Sequence, residues 1–244
     1  MTDHPVPARA ATTPGQGLPE RPGARLAQRP LHFIILADCS GSMASDGKMR
    51  ALNAAIQEAL PHLVDVADGN PHAELLVRCI AFSTGARWHV ERPTPVDEIR
   101  WADLTSGGYT DLSAGLDLLR SVLTVPPMES RALPPAIVLI SDGMPTDDYL
   151  ESLQRLEAEP WGARSVRVAV GIGRDADHEM LVRFMGDADA EPVRANNPED
   201  LVAAIRWAST HVSRVASSLA PVAAEPVFSR APHAADVDAS EVVW

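Results

Sequence analysis

The 244 residues are 45% hydrophobic and 22% charged, enough to bury one sizeable core. The formal net charge is −12; +2 on the first thirty residues and −3 on Ser217 to Trp244 leave −11 for residues 31–216. A folded part of that sign repels phosphate backbones, which excludes nucleic acid as a partner. No run of eighteen apolar residues and no basic, apolar leader occurs, so neither a membrane span nor a secretory signal is predicted and a cytoplasmic location is expected. Cys39 and Cys79 read as buried, reduced thiols. The eight histidines fall singly, without metal-ligand spacing, and receive no role.

Along the chain, residues 1–30 hold six prolines and no apolar periodicity, which predicts a disordered leader. Residues 220–244 predict a disordered acidic tail. The domain between them, 31–219, alternates strands with helices. Strands are predicted at 31–37, 74–82, 87–91, 136–141, 165–170 and 192–194, and helices at 47–66, 112–124, 147–158, 177–185 and 198–218. The runs 33–37 and 136–140 are apolar on both faces, as in central parallel strands covered on each side. The first helix carries Met49, Leu52, Ile56, Leu60 and Leu63 on one stripe and a kink at Pro61. The last opens on Asn197-Pro198-Glu199-Asp200, a cap followed by proline and two acids. Its apolar set runs from Leu201 through Ile205, Ala208, Val212 and Val215 to Leu219. This order predicts a doubly wound α/β fold with a mostly parallel sheet, helices on both faces and ligands at the carboxyl ends of the strands.

Three polar stretches bear on such a site, the first and third at strand ends and the second a glycine turn leading into a helix. They are Asp38-Cys39-Ser40-Gly41-Ser42, Ser106-Gly107-Gly108-Tyr109-Thr110-Asp111 and Ser141-Asp142-Gly143. Singly, each is an ordinary turn or helix cap. Together their oxygens suit a hard divalent cation, Mg²⁺ or Mn²⁺. Asp38, Ser40 and Ser42, at alternate loop positions, can share one cup with Thr110 and Asp142.

"DCSGSM", "GGYTDLSAGL" and "LISDGMPTDD", in that order, resemble the metal-ion-dependent adhesion site of von Willebrand factor A domains. The resemblance covers about residues 31–216. "MRALNAAIQEAL", "IAFSTGARW", "GIGRDADHEMLVRFMG" and "AIRWASTHVS" are similar to the bacterial tellurium-resistance, TerY-like branch. The resemblance implies that Ser40, Ser42 and Thr110 ligate the metal directly and that Asp38 and Asp142 hold it through water. It implies that Cys39 points away from the ion. Two positions depart from the pattern: Tyr109 stands between the glycine pair and Thr110, and Ser113 replaces a usual glycine.

A cation held mainly by neutral hydroxyls keeps its charge and attracts a carboxylate from another protein. The expectation is therefore a metal-dependent interaction module whose protein partner presents an Asp or Glu, a scaffold of a tellurium-resistance or stress-signalling complex, and not an enzyme. The alternatives are an adaptor subunit of an AAA+ or chelatase-type machine and a Mg²⁺-dependent phosphatase of the haloacid-dehalogenase type. The latter needs a second aspartate where this chain has Ser40. The loop residues Asp46, Asp111, Asp147 and Asp148 are expected to form an acidic rim.

Overall fold

The strand with the most two-sided apolar character, Arg29–Asp38 (β1), runs through the middle of a six-stranded sheet. The computed structural model describes residues 28–217 apart from 71 and 188. Residues 1–27 of the expected leader, the expected tail, Leu219 and the side chains of Val212 and Val215 lie outside the described residues, while Arg29 and Pro30, expected in the leader, begin β1 by pairing with Ala73 and Glu74 of the next strand. Beside β1 lie Ala73–Ser83 (β2) on one side and Ala136–Ser141 (β4) on the other, both parallel to it. Gly85–Pro95 (β3) closes the β2 edge in antiparallel fashion. Val166–Ile172 (β5) and Val193–Ala195 (β6) extend the other edge in parallel, giving the order β3-β2-β1-β4-β5-β6. The predicted mixed α/β, mostly parallel sheet is the fold observed.

Period-two alternation divides the core. Leu31, Phe33, Ile35 and Ala37 face helices Lys48–Asp68 (α1) and Pro198–Ser217 (α5). Ile34 and Leu36 face Leu112–Arg120 (α2), Leu150–Ala158 (α3) and His178–Met185 (α4). Burial of each of the leucine, isoleucine and phenylalanine side chains contributes about 1.5–3 kcal/mol, so a strand apolar on both faces can hold both layers.

Differences from the expected elements have local causes. Residues 121–123 leave α2 in tighter turns, with the Ser121 hydroxyl donating to the Leu118 carbonyl at 2.6 Å and two prolines following. α3 begins at Leu150, not 147, because Asp147 is engaged elsewhere. α1 is one unbroken helix through Pro61, which is exposed, so the carbonyl it leaves without a donor can reach water. β3 outruns the predicted 87–91, with Pro93 and Pro95 tolerated because it is an edge strand. At α5 the Asn197 side chain accepts from the Asp200 amide at 2.8 Å, the cap its sequence predicts.

His32, 2% exposed on β1, contacts Glu129 at 3.1 Å through Nε2 while its Nδ1 has no hydrogen-bond partner. Burial is the main cause that pushes its pKa below the ordinary value, against the pull of Glu129. A depressed histidine binds fewer protons folded than unfolded, so its contribution is complete above about pH 6.5 and is lost as pH falls through the folded value. Thermal unfolding should therefore show a midpoint falling from pH 7 to 5. His32→Gln should flatten that slope, leaving the share due to His89, which burial also depresses. An unchanged slope would show that His32 does not carry the linkage.

Candidate functional site

The order of the sheet reverses at β1, whose neighbours β2 and β4 lie on opposite sides. In doubly wound sheets the crevice at this switch point is where ligands bind. Ala37 is paired with Ile140, so the strands deliver Asp38 and Ser141-Asp142 to the same edge of the crevice. Asp38 and Asp142 are 0% and 2% exposed.

Buried carboxylates need donors, and each has two. The Asp38 Oδ1 accepts from the Ser40 amide at 2.8 Å and its Oδ2 from the Ser141 hydroxyl at 2.6 Å. Burial raises the Asp38 pKa, opposed by those bonds. The Asp142 Oδ1 accepts from the Ser42 hydroxyl at 2.7 Å, and its Oδ2 from the Lys48 ammonium at 2.9 Å. The Ser40 and Ser42 hydroxyls are 3.0 Å apart. Because the Ser42 proton is given to Asp142, the Ser40 hydroxyl is the donor of that pair. A continuous chain thus joins Asp38, Ser40, Ser42 and Asp142. It buries Ser40 and reaches solvent at the exposed Ser42.

Thr110 arrives by a different route. The Gly41 amide donates to the Gly108 carbonyl at 3.0 Å, and the Gly107 amide to the Cys39 carbonyl at 2.8 Å. This pins the 106–111 loop against the turn after β1. A Cβ at Gly41 would stand 3.2 Å from that carbonyl, and Gly108 takes φ +88° with its Cβ position only 2.5 Å from the Thr84 hydroxyl. Gly108 therefore requires glycine, while a side chain at Gly41 would need the Gly108 carbonyl to give by a few tenths of an ångström. Tyr109 donates its amide to the Thr84 hydroxyl at 3.1 Å and swings its ring outward, 70% exposed. The extra residue is thereby accommodated in solvent. Thr110 remains 6% exposed, with its backbone bonded to Thr146 in both directions. Four of the five expected residues are thus joined side chain to side chain or through the Ser40 amide, while Thr110 is brought to them by backbone contacts.

The expected acidic rim needs correction. Asp111 caps α2, accepting from the Ala114 amide and the Ser113 hydroxyl, each at 3.1 Å. Asp147 accepts from the Leu112 and Ser113 amides at 3.0 and 2.7 Å. Unsatisfied amides at a helix start draw carboxylates inward. Asp46 and Asp148 remain exposed, as do Tyr109 and Met144. Ser113, in place of a glycine, adds its hydroxyl to this cap.

Lys48 was not anticipated. Asp46 and Gly47 adopt left-handed conformations, φ 54° and 76°, and turn the chain so that the first residue of α1 enters the site, 7% exposed. A signal was present: of 21 lysines and arginines in the sequence, Lys48 is the single lysine. Cys39 and Cys79 are free and buried. Burial pushes the Cys39 thiol up to about 12 and the Cys79 thiol well above its ordinary value, so both are unreactive.

The donor set fits a hard cation. Among the described residues no group of three or more His, Cys, Asp or Glu side chains could hold a metal, so an ion here must rely on hydroxyl oxygens. The bond direction leaves lone pairs on Ser40 and Ser42 while their protons point along the chain toward Asp142. Among the described residues no helix is long and apolar enough to cross a membrane.

A doubly wound sheet with an oxygen-lined cup at its switch point defines a ligand-binding α/β domain. Residues 33–205 match the sequence profile of the von Willebrand factor type A domain, and the chain belongs to that family of metal-dependent adhesion and interaction modules. Among curated proteins none matches the sequence. Solved structures share the fold. A von Willebrand factor type A protein from Catenulispora acidiphila is 18% identical at a TM-score of 0.57, covering 76% of this chain and 43% of its own. Proximal thread matrix protein 1 of the mussel byssus, with a zinc-occupied MIDAS motif, is 14% identical at 0.58, covering 76% and 48%. The pilus adhesin SpaC from Lactobacillus rhamnosus GG is 14% identical at 0.59, covering 78% and 31%. The chain spans less than half the length of each of these three.

Gly108→Ala should lower stability by about 1–3 kcal/mol, the usual cost of placing a side chain in a left-handed and crowded position. The loss should be smaller in the Thr84→Ala background, where the clashing hydroxyl is gone. Denaturant unfolding showing equal losses in both backgrounds would contradict this account of the loop.

Proposed function

We propose that this domain is a metal-dependent protein-interaction module that binds Mg²⁺ or Mn²⁺ at Asp38, Ser40, Ser42, Thr110 and Asp142. The observation that carries the reading is the hydrogen-bonded chain from Asp38 through Ser40 and Ser42 to Asp142, buried at one end and open to solvent at Ser42. Hydroxyls of Ser40, Ser42 and Thr110 would ligate directly, with Asp38 and Asp142 behind them. Bound there, the ion would supply a hard electrophile for a carboxylate of a partner protein. The zinc-occupied motif of the mussel protein supports a divalent ion in this fold.

The carboxylates of the cup are already held by hydroxyl, amide and ammonium donors, and Ser40 stands where a phosphatase would need its acid. The reading is accordingly of a binder and not an enzyme. One metal-bridged carboxylate is a small contact, so the partner must also cover the surrounding loops. An interface on the order of 800 Å² per side is the standard size. With Asp111 and Asp147 turned inward, the exposed rim offers Tyr109 and Met144 as well as Asp46 and Asp148. The complementary face is thus partly apolar and partly basic around its one acid. We further assign the module to a cytoplasmic, bacterial scaffold of a tellurium-resistance or related stress-signalling complex. That rests on the branch-like stretches from "MRALNAAIQEAL" to "AIRWASTHVS".

Calorimetry should show Mg²⁺ or Mn²⁺ binding that Asp38→Ala and Ser42→Ala weaken at least tenfold without loss of fold. Equal affinities for wild type and Asp38→Ala would exclude this site. Affinity capture should recover partners with Mg²⁺ and lose them in EDTA, with Thr110→Ala retaining some metal but no partner. Recovery of the same partners in EDTA would place the interface elsewhere.

A further inference from the structure

The one lysine of the chain is buried against a carboxylate of the candidate metal site, and this coincidence has a physical meaning. Twenty of the 21 basic residues are arginine. At this position alone the chain holds a compact ammonium in place of a planar guanidinium. Its side chain is 9% exposed and that of Asp142 0% exposed, with 2.9 Å between Nζ and Oδ2. The cup thus contains two carboxylates and its own tethered cation.

We propose that Lys48 is a built-in competitor of the divalent ion, a residue that sets the metal affinity of the site by partly neutralising Asp142. The inference rests on the metal reading given above. Without an ammonium, two carboxylates would neutralise a divalent ion completely. With Lys48 in place they leave one unit of positive charge on the loaded site. The ion is held less tightly, and an anionic group from outside is required to complete the neutralisation. Lys48 also gives Asp142 a partner before any metal arrives, so the buried carboxylate has no need of an ion in order to fold. The same residue therefore trades metal affinity for readiness and for a residual charge.

The test compares Mg²⁺ and Mn²⁺ affinity in wild type, Lys48→Met and Lys48→Arg, with thermal unfolding as the check on fold. Methionine keeps the apolar stem and removes the charge. Lys48→Met should bind either metal roughly tenfold or more tightly, the minimum expected, even at the dielectric of bulk water, when a unit charge about 6 Å from a divalent ion is removed. Lys48→Arg should stay within about threefold of wild type because it keeps the charge. An affinity unchanged or weakened by Lys48→Met would overturn the inference, and so would equal tightening by both variants, which would remove charge as the cause. Wild-type protein supplies an independent reading. With ¹³C-lysine incorporated, the single lysine ε-methylene resonance should shift as Mg²⁺ is added, with the calorimetric midpoint. A resonance that does not move while metal binds would also overturn it. Failure of all three proteins to bind Mg²⁺ or Mn²⁺ would defeat the metal reading itself. Binding by wild type that Lys48→Met does not tighten would defeat this inference alone.

Discussion

Two carboxylates buried at the ends of neighbouring parallel strands, Asp38 and Asp142, are the constraint on which the top of this domain depends. Desolvating a carboxylate is costly unless donors replace its water. The donors found here come from four places in the chain: the Ser40 amide, the hydroxyls of Ser42 and Ser141, and the Lys48 ammonium, with the Ser40 hydroxyl acting by way of Ser42. Each of these fixes a loop. The turn after β1, the start of α1 and the end of β4 are held in register because they share the same two acids.

A second set of contacts brings the remaining loop to this frame. Amide-to-carbonyl bonds from Gly41 and Gly107 clamp the 106–111 segment to the turn after β1, and Asp147 closes over the start of α2 from the β4 side. Thr110 is held between them by Thr146. A substitution in any one of these loops is therefore felt in the others through specific bonds rather than through general packing. Such coupling suits a surface that must keep its shape with or without an ion.

Much of this was legible in the sequence because it is local. β1 and β4 are apolar on both faces, and only a central parallel strand needs that. Asp38, Ser40 and Ser42 could be grouped because alternate residues of one loop can turn to one side. Asp142 could be added because it ends the other two-sided strand. What escaped prediction is set by partners distant in the chain. Lys48 meets Asp142 94 positions away, and Asp147 caps a helix that begins 35 residues earlier. No periodicity encodes either contact. The full length of β3 was missed for a similar reason. Its pairing to β2 is made by backbone, and its prolines read as breakers until the strand is known to lie at an edge. The single lysine was the one global feature that could have drawn attention to the site.

The central claim is that the cup formed by these loops holds a divalent cation through neutral hydroxyl oxygens. Anomalous diffraction from crystals of this chain grown with Mn²⁺ tests it most directly. The account predicts one strong anomalous peak at the carboxyl ends of β1 and β4, within direct coordination distance of the Ser40 and Ser42 hydroxyls, with Asp38 and Asp142 one water further out. Crystals soaked in Mn²⁺ with no peak there, and the contacts of Asp142 to Ser42 and Lys48 intact, would contradict it.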